Sequence, residues 1–132
     1  MATTRDILNA IADEKALALF DIIAVAECDS ELLLTKLALS RKEYYSRISR
    51  LVKAGLASRQ RGKYSLTMLG DIVYQARLAI EHAVSIYPKL KAVDMLKKSS
   101  DIPEDECNKV INFLLSNELN KNIFLQRIWR QN

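Results

Sequence analysis

The residues that could do chemistry in this 132-residue chain are cations, and many of them lie in one short stretch. Between positions 41 and 63 the sequence holds eight lysines and arginines against one carboxylate, Glu43, which gives a net charge of +7. The whole chain carries only +4, so the remaining residues sum to −3. Lysine and arginine neutralise phosphates, and arginine and serine side chains also hydrogen-bond to base edges. This concentration predicts a nucleic-acid surface rather than a solvated charged face.

No pattern in the sequence predicts catalysis or a bound metal. The chain contains no HExxH, phosphate-loop or GxGxxG motif. His82 is the only histidine, and Cys28 and Cys107 lack both a CxxC pattern and the spacing of metal ligands. We expect two reduced thiols, with a disulfide or a redox-sensing cysteine as less favoured alternatives. The chain is therefore not expected to be an enzyme, to hold a metal or cofactor, or to bind a small molecule.

A helix must present most of these cations. Ser40 and Glu43 have the spacing of a capping box, and Gly55 suits the left-handed position after a last turn. These signals predict a helix over about 41–54. Its apolar stripe, at helical spacing, consists of Tyr44, Ile48, Leu51 and Val52. The opposite face is polar and basic, as expected of a helix that packs on one side and binds on the other.

A tight hairpin is expected directly after this helix. Leu56–Gln60 and Lys63–Thr67 alternate like two short strands around a turn at Arg61 and Gly62. Tyr64 is expected to support the hairpin rather than to contact nucleic acid, and Tyr44 to lie in the core. The basic stretch therefore consists of one helix and one hairpin.

The expected contacts with double-stranded DNA divide by the element that carries them. A helix in the major groove would place six side chains near base edges: Arg41, Lys42, Tyr45, Ser46, Ser49 and Arg50. Ser40 completes this set at the helix start, and Lys53 is expected to meet a phosphate. The hairpin would contact phosphates or the minor groove through Arg59, Gln60, Arg61 and Lys63. Arg47, at the edge of the buried stripe, could instead pair with Glu43 four residues earlier.

Caps and apolar periodicity predict further helices on both sides of the basic stretch. Three precede it, over Arg5–Ala12, Glu14–Ala26 and Glu31–Ala38, with a loop at 28–30. Three follow it, over Met68–Ile86, over Lys89–Lys98 and from about Glu104 onward. The apolar runs are all shorter than the roughly 20 residues of a membrane span, and no signal peptide is recognisable. We therefore expect a cytoplasmic protein with no membrane partner.

The helix over Met68–Ile86 carries a row of apolar residues at coiled-coil spacing. The row consists of Leu69, Ile72, Val73, Ala76, Ala79, Ile80, Ala83 and Ile86. Because its alanines permit close approach of another helix, we expect this face to form a homodimer interface. The alternative is that the row packs only on helices of its own chain.

The order of these elements resembles a winged helix-turn-helix, and above all small archaeal transcriptional regulators of the ArnR-like kind, within the architecture shared with the MarR and ArsR families. The resemblance rests on Leu-Val-Lys-Ala-Gly-Leu at 51–56, on Lys-Tyr-Ser-Leu-Thr at 63–67 and on Leu-Thr-Met-Leu-Gly at 66–70, and it covers roughly Thr4–Val84. It implies a mainly α fold with a small two-stranded β-wing. It also implies a homodimeric DNA-binding regulator, with a recognition helix at about 41–54 and a wing at about 56–67.

The resemblance divides the chain into a winged-helix domain over 1–86 and a helical extension over 87–132. Two other functions remain open, because some winged helices bind protein or RNA. One is a protein-interaction module within a larger transcription or chromatin assembly, which would dock through the apolar segment around Trp129. The other is an RNA-binding winged helix.

Overall fold

The first four helices begin where the sequence places capping residues. A computed structural model of the chain describes residues 1–119 and Arg127. Its helices are α1 (Thr4–Ala10), α2 (Glu14–Val25), α3 (Ser30–Leu37), α4 (Arg41–Lys53), α5 (Met68–Ser85), α6 (Tyr87–Lys98) and α7 (Glu104–Leu119). Side chains of Thr3, Asp13, Asp29 and Ser40 accept a hydrogen bond from the first turn of α1 to α4 in that order. The predicted helix bounds agree to within one or two residues.

The chain also forms a small antiparallel sheet, so the fold is mainly α with a minor β component. The strands are β1 (Cys28–Asp29), β2 (Ala57–Gln60) and β3 (Lys63–Leu66), in the order β1-β3-β2. The expected two-stranded sheet is therefore wrong by one strand, since β1 lies where we predicted a loop. It pairs Cys28 with Tyr64. A strand of two residues shows no alternation, so the sequence carries no periodic signal for it.

The hairpin of β2 and β3 has the predicted two-residue turn. Gln60 pairs with Lys63 at its end, and Arg61 and Gly62 both have positive φ, at 54° and 79°. This is the backbone of a type I′ turn, which matches the twist of a two-stranded ribbon. The hairpin tip therefore has a defined shape.

The chain divides into two compact units, Met1–Tyr74 and Gln75–Asn132. The core of the first unit joins α1 to α4 with the sheet around fully buried Leu19, Phe20, Leu33 and Tyr44. The second unit has a smaller core around Val93, Ile111 and Leu115. The expected domain boundary after residue 86 stays a prediction, because α5 contributes residues to both units.

A buried carboxylate ties together the helices of the second unit. Glu118 in α7 is 8% exposed, and its Oε2 lies 2.6 Å from Nε2 of His82 in α5. Its other oxygen, Oε1, accepts a 2.9 Å hydrogen bond from Nζ of Lys89 in α6.

No helix within the described residues is long and apolar enough to cross a membrane. The apolar segment predicted around Trp129 lies outside the described residues.

Candidate nucleic-acid interface

Helix α4 is fixed at both ends by hydrogen bonds that the sequence predicts. At its start, Ser40 Oγ accepts from the backbone N–H of Glu43 at 3.1 Å, while Glu43 Oε1 accepts from the N–H of Ser40 at 3.3 Å. At its end, the N–H of Leu56 donates to the carbonyl of Leu51 and that of Gly55 to Val52, both at 3.0 Å. With φ of +82° at Gly55, this is a complete Schellman motif, which sets the direction in which the chain enters the hairpin.

The buried stripe of α4 determines which side chains face outward. Tyr44, Ile48 and Leu51 are buried at 3% exposure or less. Val52, which we placed in this stripe, is 41% exposed and lies on its flank. The hydroxyl of Tyr44 lies 2.9 Å from Ser30 Oγ, so α4 is also tied to α3. Burial raises the pKa of that hydroxyl, which stays protonated.

The structure leaves the predicted contact residues at the surface. Eleven are exposed and Ser49 is half-buried; the exposed ones are Ser40, Arg41, Lys42, Tyr45, Ser46, Arg50, Lys53, Arg59, Gln60, Arg61 and Lys63. At 100° per residue, Lys42, Ser46, Ser49 and Lys53 form the centre of the face opposite the buried stripe. We call these four residues the central strip. Within the described residues Lys42 and Lys53 form no ion pair, so their charges are available to a ligand.

One flank of this face carries Arg47 and Arg50, and a carboxylate at the start of α2 binds both arginines. Asp13 Oδ1 accepts a 3.0 Å hydrogen bond from Nε of Arg47, and Oδ2 accepts a 2.9 Å bond from a terminal nitrogen of Arg50. Oδ1 also caps α2 by accepting from the N–H of Ala16. Partial burial favours the neutral acid, but these hydrogen bonds outweigh it and lower the pKa of Asp13 to about 2. The carboxylate is therefore ionised at neutral pH.

The alternative pairing of Arg47 with the Glu43 carboxylate is wrong. Arg47 bonds to Asp13 and to the backbone carbonyl of Glu43, the latter at 3.1 Å. The Glu43 side chain bonds to Nζ of Lys15 and to the N–H of Ser40. The Lys15 ammonium and the Ser40 hydrogen bonds hold the pKa of Glu43 at about 2. Because Asp13 and Lys15 lie about 30 residues before α4, helix periodicity could not identify them as its partners.

The other exposed arginines have weaker partners. A guanidinium nitrogen of Arg41 lies 3.6 Å from Glu31 Oε1, and both side chains are more than 65% exposed. The guanidinium of Arg59 lies over the ring of Tyr64, 5.9 Å from its centroid. Tyr44 is fully buried, as expected of a core residue, and Tyr64, which we expect to support the hairpin, is only 8% exposed. One exposed cation of the hairpin, Arg59, therefore packs on a buried aromatic ring.

The junction of the hairpin with α5 depends on a glycine that sequence reasoning did not single out. A Cβ placed on Gly70 would lie 2.0 Å from the carbonyl oxygen of Leu56. The hydroxyl of Thr67 accepts from the N–H of Gly70 at 3.0 Å and donates to the carbonyl of Gly55 at 2.5 Å. The end of β3 is therefore bonded directly to the turn that ends α4. A Thr-x-x-Gly pattern at a helix start is the signal that could have pointed to this contact.

The apolar row on α5 is only partly exposed. Leu69 and Val73 pack against the core of the first unit, and Ile86 packs against that of the second. Ala79 is buried, and Ala76 and Ala83 are half-buried. Ile72 and Ile80 are 54% and 63% exposed, and the neighbouring Val84 is 70% exposed. The structure thus assigns four of the eight predicted interface residues, Leu69, Val73, Ala79 and Ile86, to contacts within the chain.

No group of three metal-binding side chains occurs in the part of the chain that the structure describes. Cys28 and Cys107 are free and buried. Comparisons of the chain with models of protein families, with curated proteins and with solved structures give no significant match.

Proposed function

We propose that the chain is a transcriptional regulator of winged helix-turn-helix type that binds specific double-stranded DNA as a homodimer. The observation that carries this proposal is the charge and exposure of α4 and the hairpin. Over residues 41–63 the net charge is +7, and seven of the eight cations are exposed. Capping box, Schellman motif and type I′ turn give these side chains a fixed framework, and a preorganised surface binds with a smaller loss of conformational entropy.

The arrangement of elements supports the winged-helix part of the proposal. Helices α3 and α4 follow each other with three residues between them, as in a helix-turn-helix motif. The hairpin follows α4 at once, and β1, which precedes α3, adds a third strand to it. On this proposal α4 is the recognition helix and the hairpin is the wing.

We infer different DNA contacts for the centre and for the flanks of the exposed face of α4. We infer that the central strip faces base edges in the major groove, with Lys42 donating to guanine and the serines to any base. Tyr45, 53% exposed on the other flank, is placed to contact a thymine methyl or a phosphate. Arg50 was predicted to read a base, but its bond to Asp13 holds it at the flank. A phosphate is therefore the more suitable partner for Arg50.

The homodimer would use the exposed apolar residues of α5. Ile72, Ile80 and Val84 follow one another at spacings of eight and then four residues, so they lie along one ridge of the helix. Large exposed side chains of this kind are buried when a second copy of the helix packs against the first. A two-fold dimer would match a palindromic operator, with one α4 in each half-site.

A salt titration of binding to a random-sequence duplex tests the proposal. Phosphate contacts release counterions, so log affinity should fall with log salt with a slope of about −0.9 for each phosphate contacted. Light scattering in the same buffer would give the mass of the bound species. A steep slope and a dimer mass are expected. No binding at low salt would overturn the proposal.

A protein-interaction module is the second candidate, because the second unit also exposes large apolar side chains. Phe113 is 81% exposed, Met95 67% and Val110 43%. Binding that survives high salt would favour this candidate, since phosphate contacts would then contribute little. Competition between duplex DNA and structured RNA would test the RNA-binding alternative.

A further inference from the structure

The flank of α4 that faces α1 and α2 is already occupied by an anion of the protein itself. The two oxygens of Asp13 accept hydrogen bonds from two different arginines, at 3.0 Å from Arg47 and at 2.9 Å from Arg50. A phosphodiester also offers two non-bridging oxygens to such donors. Asp13 therefore occupies a position on these arginines that suits a DNA phosphate.

The two arginines differ in how firmly the protein holds them. The side chain of Arg47 is 20% exposed and also bonds to the Glu43 carbonyl, so its guanidinium has two partners within the chain. The side chain of Arg50 is 44% exposed and lines an open cleft of about 450 Å³ with Lys53, Asp6 and Asn9. A partly exposed ion pair is weak. Arg50 is therefore the residue that an incoming phosphate can draw away from Asp13.

A second ion pair also lies on this flank. Glu43 binds Lys15, so this second pair adds no net charge beside Arg50. Asp13, Arg47 and Arg50 together carry only +1, although they include two arginines. By contrast, Lys42 and Lys53 on the central strip carry charges without a carboxylate partner among the described residues. The flank is thus the part of the basic face that the protein has largely neutralised.

We propose that Asp13 is a positioning residue that competes with DNA phosphate for Arg50 and so lowers the affinity of α4 for non-specific DNA. This inference rests on the proposed function and adds to it a residue outside the binding surface. Because Asp13 holds Arg50 at the flank, a duplex must displace the carboxylate before Arg50 can contact a phosphate. Binding to random DNA then depends mainly on the central strip and the hairpin.

The variants Asp13→Asn and Asp13→Ser test this inference. Both replacements remove the charge and keep a good N-cap for α2, so the fold should be retained. The matched control is Glu14→Gln, which removes one negative charge from an exposed neighbouring residue with no ion pair among the described residues. Circular dichroism melts of all proteins would verify folding. The measured quantities are affinity for a random duplex and its salt slope.

Both Asp13 variants should bind random DNA more tightly than Glu14→Gln does, with a slope steeper by about 0.9 for the one phosphate gained. Because of this steeper slope, the gain in affinity for random DNA should shrink by about threefold between 50 and 200 mM salt. In an Arg50→Gln background, Asp13→Asn should neither raise the affinity nor steepen the slope, because the cation for which the carboxylate competes is then absent. Equal affinities and slopes for the Asp13 and Glu14 variants, with DNA binding by the parent, would overturn this inference alone. Absence of binding by every variant at low salt would overturn both this inference and the proposed function.

Discussion

The carboxylates of Asp13, at the start of α2, and of Glu43, in α4, make the stability of the first unit depend on pH. The pKa of Asp13 is about 2 in the folded chain against an ordinary value of 3.8, and that of Glu43 is about 2 against 4.5. A lowered pKa means that the ionised group stabilises the folded state. This contribution is complete above about pH 5 and is lost as pH falls towards 2. Urea unfolding between pH 7 and pH 2 should show the loss, and Asp13→Asn should reduce it. Identical pH profiles for the two proteins would contradict this prediction.

Gly70 should be among the residues least tolerant of substitution. A methyl group on it would lie 2.0 Å from the Leu56 carbonyl oxygen, so the backbone at the junction of α4, the hairpin and α5 would have to move. Overpacking of this kind costs about 1–3 kcal/mol or more. Gly62→Ala is the comparison, because a Cβ there meets nothing within 4 Å and only the positive φ opposes it. Thermal unfolding should show the larger loss for Gly70→Ala; an equal or smaller loss would show that the junction adjusts.

The elements that could be predicted from the sequence are those specified by neighbouring residues. Ser40 and Glu43 cap α4 across three residues, and Arg61-Gly62 forms the turn between adjacent strands. These signals act within four residues, so a linear sequence displays them. The pairing of β1 with β3 and the bonds from Asp13 to α4 join residues more than 30 positions apart in the sequence. The bond from Lys15 to Glu43 spans 28 positions. Such pairings depend on how the helices pack, and residue periodicity does not encode that.

The hairpin should contribute charge but no sequence preference to DNA binding. Arg61 occupies the turn itself with positive φ, fully at the surface, where its guanidinium can reach a phosphate. Arg61→Ala should therefore weaken binding to random and specific duplexes by the same factor and reduce the salt slope by about 0.9. Lys91→Ala, an exposed lysine of α6, is the charge-matched control and should change neither. Fluorescence anisotropy with both duplexes would measure these effects. A loss confined to the specific duplex would contradict the phosphate role.

At the scale of the whole molecule, the exposed apolar side chains of α5 determine where a second copy of the chain could pack. Leu69 and Val73 are already packed on the core of the first unit, which confines the surface available to a second copy to residues such as Ile72 and Ile80. Sequence spacing alone grouped all eight residues of the row together, because a periodic pattern does not distinguish contacts within a chain from contacts between chains. The predicted dimer interface is therefore narrower than the row.

Ile80→Glu should convert the proposed homodimer into a monomer. Ile80 is 63% exposed in the single chain, so a carboxylate at this position stays hydrated in the monomer and leaves its fold intact. In a dimer the same carboxylate would be removed from water without a partner, which is strongly unfavourable. Light scattering should give half the parent mass, with unchanged helix content by circular dichroism. Affinity for a palindromic site should fall because each monomer then binds one half-site alone.

Val25→Glu, at a 74% exposed position at the end of α2, is the matched control and should remain dimeric. If both variants keep the parent mass, α5 does not form the interface, and the exposed side chains of α6 and α7 become the surface to test.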